Sequence, residues 1–115
     1  MRRGEVWLVD LDPGRGTEAA KRRPVVVVSN DGANATAARL GRGVVTCVPM
    51  TSNITNVYPF QVLVPAAASG LRSDSKAQAE QVRSLDVARL ADPVGVLPAN
   101  VMRELDGALR LHLAL

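Results

Sequence analysis

One cysteine and one histidine in 115 residues leave little room for several common kinds of chemistry. Cys47 sits inside the apolar stretch VVTCVPM with no second cysteine to bridge, so no disulfide framework exists. It reads as a small buried hydrophobe in a reducing compartment, and a cytoplasmic location is the default expectation. With a single histidine there is no Cys/His set at zinc spacing. His112 itself falls near the end of a helical pattern, where packing or a cation at the helix C-terminus is its ordinary role. No Gly-rich loop is followed by Lys-Ser/Thr, which removes the usual phosphate-cradling nucleotide site. Asp10 and Asp12 share one face of an extended segment, but one such pair is weak evidence for Mg²⁺, and strand-end solvation explains it as well. Neither a metal nor a cofactor is expected.

Aromatic residues are equally scarce: Trp7, Tyr58 and Phe60 are the whole set. That argues against folds that bind single strands by stacking bases on a multi-aromatic sheet. The apolar runs are a handful of residues long, far short of a membrane span, so no membrane partner is expected. The opening MRRGEVWLVD has two arginines but no apolar h-region, and reads as having no signal peptide.

What is present is an ordinary globular composition, 47% hydrophobic and 22% charged, on a chain sized for one domain over residues 1–115. The net charge of +3 is unevenly spread. Residues 1–42 carry eight cations against five acids, while the remainder balances at six against six. A basic bias confined to one part of the chain suggests a surface facing a polyanion, although a solvated face is the plainer account.

Read for local structure, EVWLVDL (5–11) is a strand closed by the turn-rich DPGRG. The valine run 25–28 is a second strand, and continuous β-branched residues imply cover on both faces. NDGANATAARL reads as a loop with a helical turn in it. GVVTCVPM (43–50) is a third strand, with Pro49 placing its end near an edge or bulge. FQVLV (60–64) is a short strand, and KAQAEQV (76–82) alternates polar with small or apolar residues. SLDVARL reads as one or two helical turns capped by Ser84. Pro98 opens the clearest helix, with Asn100 as a candidate cap, and Met102, Leu105, Leu109 and Leu113 form its apolar stripe. Short strands plus one terminal helix point to a mainly β, barrel-like fold with the helix packed on it.

Chemistry is concentrated in TEAAKRRPVVVVSND (17–31). Lys21, Arg22 and Arg23 stand at the mouth of a buried strand, where charge costs desolvation unless an anion meets it. Glu18 and Arg23 lie five residues apart on a loop held by a firm scaffold. The planar fork of Arg23 matches phosphate oxygens, and Thr17, Thr51 and Ser52 would add hydroxyl donors. Spacing alone leaves two accounts open: a phosphate site, or a surface salt bridge between Glu18 and Arg23.

The segment RRGEVWLVDLDPGRGTEAAKRRPVVVVSND resembles the opening of the MazF/PemK-like toxins, mRNA interferases of bacterial toxin–antitoxin systems. VPMTSN, then SGLRSDSKAQAEQVRSLD and the terminal MRELDGALRLHL, continue the resemblance in order over essentially the whole chain. The resemblance implies an SH3-like small β-barrel with a C-terminal helix, working as a homodimer. It implies metal-independent cleavage of single-stranded RNA, with Arg23, Thr51 and Glu18 in the catalytic positions. Thr17, Ser52, Asn53, Glu80 and Gln81 fall at RNA-binding positions, and Lys21 and Arg22 make this loop more basic than in many members. It further implies a cognate antitoxin, MazE-like, whose acidic tail would suit the basic half of the chain. Two other functions fit the same barrel: a DNA gyrase poison resembling CcdB, and a barrel that binds RNA without cutting it. The poisons act through a Trp-containing C-terminal tail, whereas this chain reads LRLHLAL at that place.

Overall fold

A computed structural model describes residues 1–115. The strands are β1 (Glu5–Asp10), β2 (Arg22–Val27), β3 (Val44–Thr51), β4 (Gln61–Val64), β5 (Ser75–Gln78), β6 (Arg83–Asp86) and β7 (Asp92–Val96). Three helices intervene: α1 (Asp31–Leu40), the single turn α2 (Ala66–Ser69) and the terminal α3 (Ala99–Leu113). The main path of the sheet runs β4-β5-β3-β2-β1-β7, and β6 also pairs with β3. The mainly β architecture with a terminal helix is the one expected.

The valine run explains why the sheet is covered on both sides. Val25, Val26 and Val27 are all fully buried. Successive residues of a strand point to opposite faces. Val26 joins Val6, Val48, Met50, Ala77 and the α3 residues Met102 and Leu105 in one core. Val25 and Val27 join Val9, Leu11, Val45, Cys47 and Leu85 in a second core on the opposite face. Cys47 is fully enclosed there, and burial pushes its thiol up to about 12, so it stays protonated and inert.

The structure revises several sequence expectations. NDGANATAARL, expected as a loop with a helical turn in it, is a ten-residue helix, α1, capped by Asn30, whose side chain accepts from the Ala33 N–H. SLDVARL is not helical from Ser84. Arg83–Asp86 is a strand along β3, and Asp86, not Ser84, caps the single 3-10 turn that follows. β7 was not expected at all. It is an edge strand, which tolerates Pro93, and Gly95 leaves room for the carbonyl of Ser69, which a Cβ would meet at 2.3 Å. Pro98, not Asn100, occupies the N-cap position of α3. Pro49 lies inside central β3, in the gap where pairing passes from β6 (to Cys47) to β5 (from Met50). No helix is long and apolar enough to cross a membrane.

Much of the basic excess in residues 1–42 is neutralised by acids elsewhere. Arg3 donates to Asp106 on α3 and to the Val28 carbonyl, and Arg22 pairs with Asp92 at 2.7 Å. At the start of α1, Asp31 accepts from the Arg3 N–H at 2.6 Å and faces Arg2 at 3.8 Å. The Arg3 N–H is the main influence holding the Asp31 carboxyl below its ordinary 3.8. A carboxyl with a depressed folded pKa stabilises the fold above its unfolded pKa and loses that effect as pH falls through the folded value. Asp31→Asn should therefore lower the urea midpoint near neutrality, and by less at a pH well below 3.8, so its stability falls less with acid. Equal midpoint differences at both pH values would show that the carboxylate charge is not involved.

Candidate active site

The loop between β1 and β2 is fastened by its own turn residues and by one distant side chain. The Lys21 carbonyl accepts from the Leu11 N–H, and Asp12 Oδ1 accepts from the Lys21 N–H. Asp10 Oδ1 accepts from the Asp12 N–H. The two aspartates therefore act as turn acceptors that shape the loop. Lys21 has a φ of +67°, a left-handed conformation uncommon for a residue with a Cβ. Gln81, from the 3-10 turn after β5, completes the fastening with both ends of its amide. Its Oε1 accepts from the Ala19 N–H and its Nε2 donates to the Thr17 carbonyl, each at 2.9 Å.

Against this loop lies a cavity of about 160 Å³ lined by Thr17, Glu18, Ala19, Arg23, Thr51, Asn53, Lys76, Gln78 and Gln81. Ala19 is its one apolar wall residue, so its occupant must be polar or charged. The sheet register builds its floor. Val25 faces Pro49 at the end of the β2–β3 ladder, and Arg23 and Thr51, two residues beyond on each strand, both line the cavity. Thr51 in turn pairs with Lys76 of β5. Partners in an antiparallel ladder share a face, so Thr51 and Lys76 lie side by side, and Arg23, in step with Val25 on β2, lines the same cavity.

Arg23 donates its Nε to the Ala20 carbonyl at 2.8 Å, which fixes the guanidinium and leaves the two terminal nitrogens for another acceptor. Thr51 Oγ1 accepts from the Asn53 N–H at 3.3 Å and keeps its own proton to donate. Glu18 is exposed, and its Oε1 accepts from the Arg15 N–H at 2.9 Å. It makes no ion pair with Arg23, so the salt-bridge account of that spacing is not what the fold adopts.

Six of the ten residues singled out from sequence meet in this cavity: Thr17, Glu18, Arg23, Thr51, Asn53 and Gln81. Gln81 reaches it as the loop's fastening, with its amide already engaged. Arg22 and Ser52 line a neighbouring cavity of about 230 Å³ that shares Arg23 and includes Arg72. Glu80 lines a third, of about 410 Å³, which shares Glu18 and Gln81. There its Oε2 accepts from Gln61 Nε2 at 2.7 Å, while Oε1 is buried without a partner. Lys21 lines none of the three. Sequence reading missed Lys76 and Gln78, although the alternation in KAQAEQV had placed both on one face. His112 stacks obliquely near Phe60, with ring centres 6.5 Å apart, and lines no part of the cavity.

Because Gln81 alone ties the loop to the β5–β6 turn through both amide atoms, its loss should loosen the loop selectively. Gln81→Leu should raise amide exchange at Ala19 by up to about tenfold, the value of one hydrogen bond, with core amides unchanged. Unchanged exchange at Ala19 would show that the loop holds its own shape.

Comparison with known proteins agrees with the geometry. Residues 2–113 match the family described as the PemK-like, MazF-like toxin of type II toxin–antitoxin systems. Endoribonuclease MazF9 of Mycobacterium tuberculosis is 64% identical over 115 residues, covering all of this chain and 98% of that protein. The crystal structure of MazF from Deinococcus radiodurans superposes with a TM-score of 0.83 at 29% identity, covering 100% of this chain and 97% of that one. A MazE–MazF crystal structure from the same organism gives 0.73 at 31% identity, again covering 100% and 97%. With a shared sequence pattern from end to end and the same fold, this chain belongs to the PemK-like, MazF-like toxins of type II toxin–antitoxin systems.

Proposed function

We propose that this toxin is an endoribonuclease that cuts single-stranded RNA at the Arg23–Thr51 cavity, with the ribose 2′-hydroxyl as nucleophile. The observation that carries the reading is the polar cavity in which Arg23 is fixed through Nε with its terminal nitrogens free. Those nitrogens match two non-bridging oxygens of one phosphate, and the Thr51 hydroxyl adds a third donor. Donors held in place in this way act on charge as it develops on the phosphoryl oxygens, each worth about 10²–10³ in rate. Glu18 Oε2, which has no protein partner, suits the role of base for the 2′-hydroxyl proton. With a nucleophile already in the substrate, the chain needs neither its own Ser or Cys nor a metal-bound water.

The central cavity shares Glu18 and Gln81 with the one lined by Glu80, and Arg23 with the one lined by Arg22 and Ser52, and we read the three as one RNA path past the cleavage point. A strand laid along it would meet Glu80 on one side of the cut, and Arg22, Ser52 and Arg72 on the other. Asn53 and Thr17 flank the centre. As a type II toxin the chain has a cognate antitoxin as partner, and an acidic tail in this groove would deny it to RNA. Residues 1–115 act as one domain in the cytoplasm, where RNA and antitoxin are found. Leu111, Leu113 and Leu115, exposed at the end of α3, offer apolar area for a second copy in a homodimer. Leu113→Glu should then shift the mass measured by light scattering from dimer toward monomer. A wild-type protein that is monomeric would remove the homodimer.

The decisive test is incubation of pure protein with mixed-sequence RNA in excess chelator. Cutting should persist and leave a 2′,3′-cyclic phosphate and a 5′-hydroxyl. A deoxy nucleotide 5′ to the cut should block it; normal cutting there would overturn the nucleophile. Arg23→Ala should lower the rate by about 10²–10³ with the fold intact, and lysine should restore little because a point charge lacks the fork. RNA that is bound but never cut would favour the non-cleaving barrel.

A further inference from the structure

Lys76 is the one cation the fold has buried beside the cleavage point. Its residue is only 8% exposed, yet no carboxylate meets its charge. Its ammonium donates to the Asn56 carbonyl at 2.6 Å and lies 5.6 Å from the centre of the Tyr58 ring. One of its three protons is thereby engaged, the other two have no protein partner, and Lys76 is among the residues lining the cavity. A desolvated ammonium held only by a carbonyl and a ring face is prepared for an anion.

We propose that Lys76 gives the proton that the 5′-oxygen needs as it leaves. The inference rests on the RNA-cleavage reading above and adds a group to it. In an in-line displacement the attacking and departing oxygens lie on opposite sides of phosphorus, so the base and the acid must as well. Glu18 lies on the loop before β2, Arg23 on β2, Thr51 on β3 and Lys76 on β5, and all four line the one cavity, so we set Glu18 at the 2′-oxygen and Lys76 at the 5′-oxygen of the same phosphate. Thr51 is paired with Lys76 on the neighbouring strand, and Arg23 lines the same cavity, so a phosphate held by Arg23 and Thr51 is the anion nearest to Lys76. Among the groups lining the cavity, Arg23 holds its protons too tightly to give one up, and the amides and the hydroxyl are poor acids. Lys76 is the remaining donor.

The step balances. An electron pair of the 2′-oxygen forms the new P–O bond, and its proton passes to Glu18. The P–O5′ bond breaks, and its pair takes a proton from the Lys76 ammonium. The products are the cyclic phosphate, a 5′-hydroxyl, a neutral amine and a carboxylic acid, and the last two exchange protons with solvent.

A 5′-bridging sulfur in the scissile linkage tests this, because a thiolate departs without an acid. Lys76→Met keeps the apolar stem against Tyr58 and removes the proton. It should slow the natural linkage at saturating RNA by about 10²–10⁴, while cutting the sulfur linkage within about threefold of wild type. Lys76→Arg, which keeps the charge and carries the test if the Met variant does not fold, should show the same split. Equal slowing on both linkages would mean that Lys76 only holds the Asn56–Tyr58 loop or binds phosphate, and would overturn the proposal. So would full activity of either variant on the natural linkage. Wild-type protein that cuts neither linkage would instead overturn the cleavage reading on which this step rests.

Discussion

The site depends on a change of partner along β3. On one side this strand pairs with β2; on the other it pairs with β6 as far as Cys47 and with β5 from Met50. Pro49, which has no N–H to give, lies in the gap between β6 and β5. If β6 continued to the end of β3, the residue opposite Thr51 would come from the β6 side of the barrel and not from β5. The exchange brings Lys76 there instead, and sets β5 and its following turn beside the β1–β2 loop, where Gln81 can reach Thr17 and Ala19. One pairing change thus supplies both the floor of the cavity and the anchor of its wall.

The same strands that bury Val25, Val27, Cys47 and Val45 on one face carry the polar row at their far ends. Two residues beyond Val25, with no change of face, the side chain is Arg23. The core therefore holds the charged residues by backbone geometry, and a shift of one residue between β2 and β3 would turn Arg23 toward the α3 side. This gives precise placement to a site that has no metal-like centre to organise it. Preorganisation of this kind matters most where catalysis rests on donors aimed at developing charge.

How much of this was legible in the sequence follows from which signals are local. Strand β2 was legible because four valines in a row have few other fates, and α3 because its stripe recurs at three and four. Helix α1 was not, since its buried residues are only Asn34 and Ala37 and it packs a polar side chain where a stripe would show. Asn34 is fully enclosed, bonded to Ser29 and Asp31, a tertiary arrangement with no sequence period. SLDVARL misled because Ser and Asp both cap helices, and β3 claimed the first of them for a ladder. Among the site residues, Arg23, Thr51 and Glu18 were singled out by residue type as a candidate phosphate site, given catalytic positions by resemblance, and brought together by the fold. Arg22, counted in the basic excess, pairs with Asp92, 70 residues away along the chain. Charge counted along a chain ignores such pairings.

Lys76 shows the converse. In sequence it is one lysine in a loop-flanked alternation; in the fold it is buried, and its neighbours give it a carbonyl and a ring where a stabilising core would give a carboxylate. A buried charge without a counter-ion destabilises the protein that carries it. Replacement by a residue of similar length without charge would relieve that cost. Retaining the charge makes sense where a bound anion offsets it, as the phosphate of the proposed RNA substrate would. The free toxin is then the less favourable state of this pocket. On the proposed reading, RNA phosphate and an antitoxin carboxylate would relieve the same unpaired charge, which would tie activity and inhibition to one electrostatic deficit rather than to two separate surfaces.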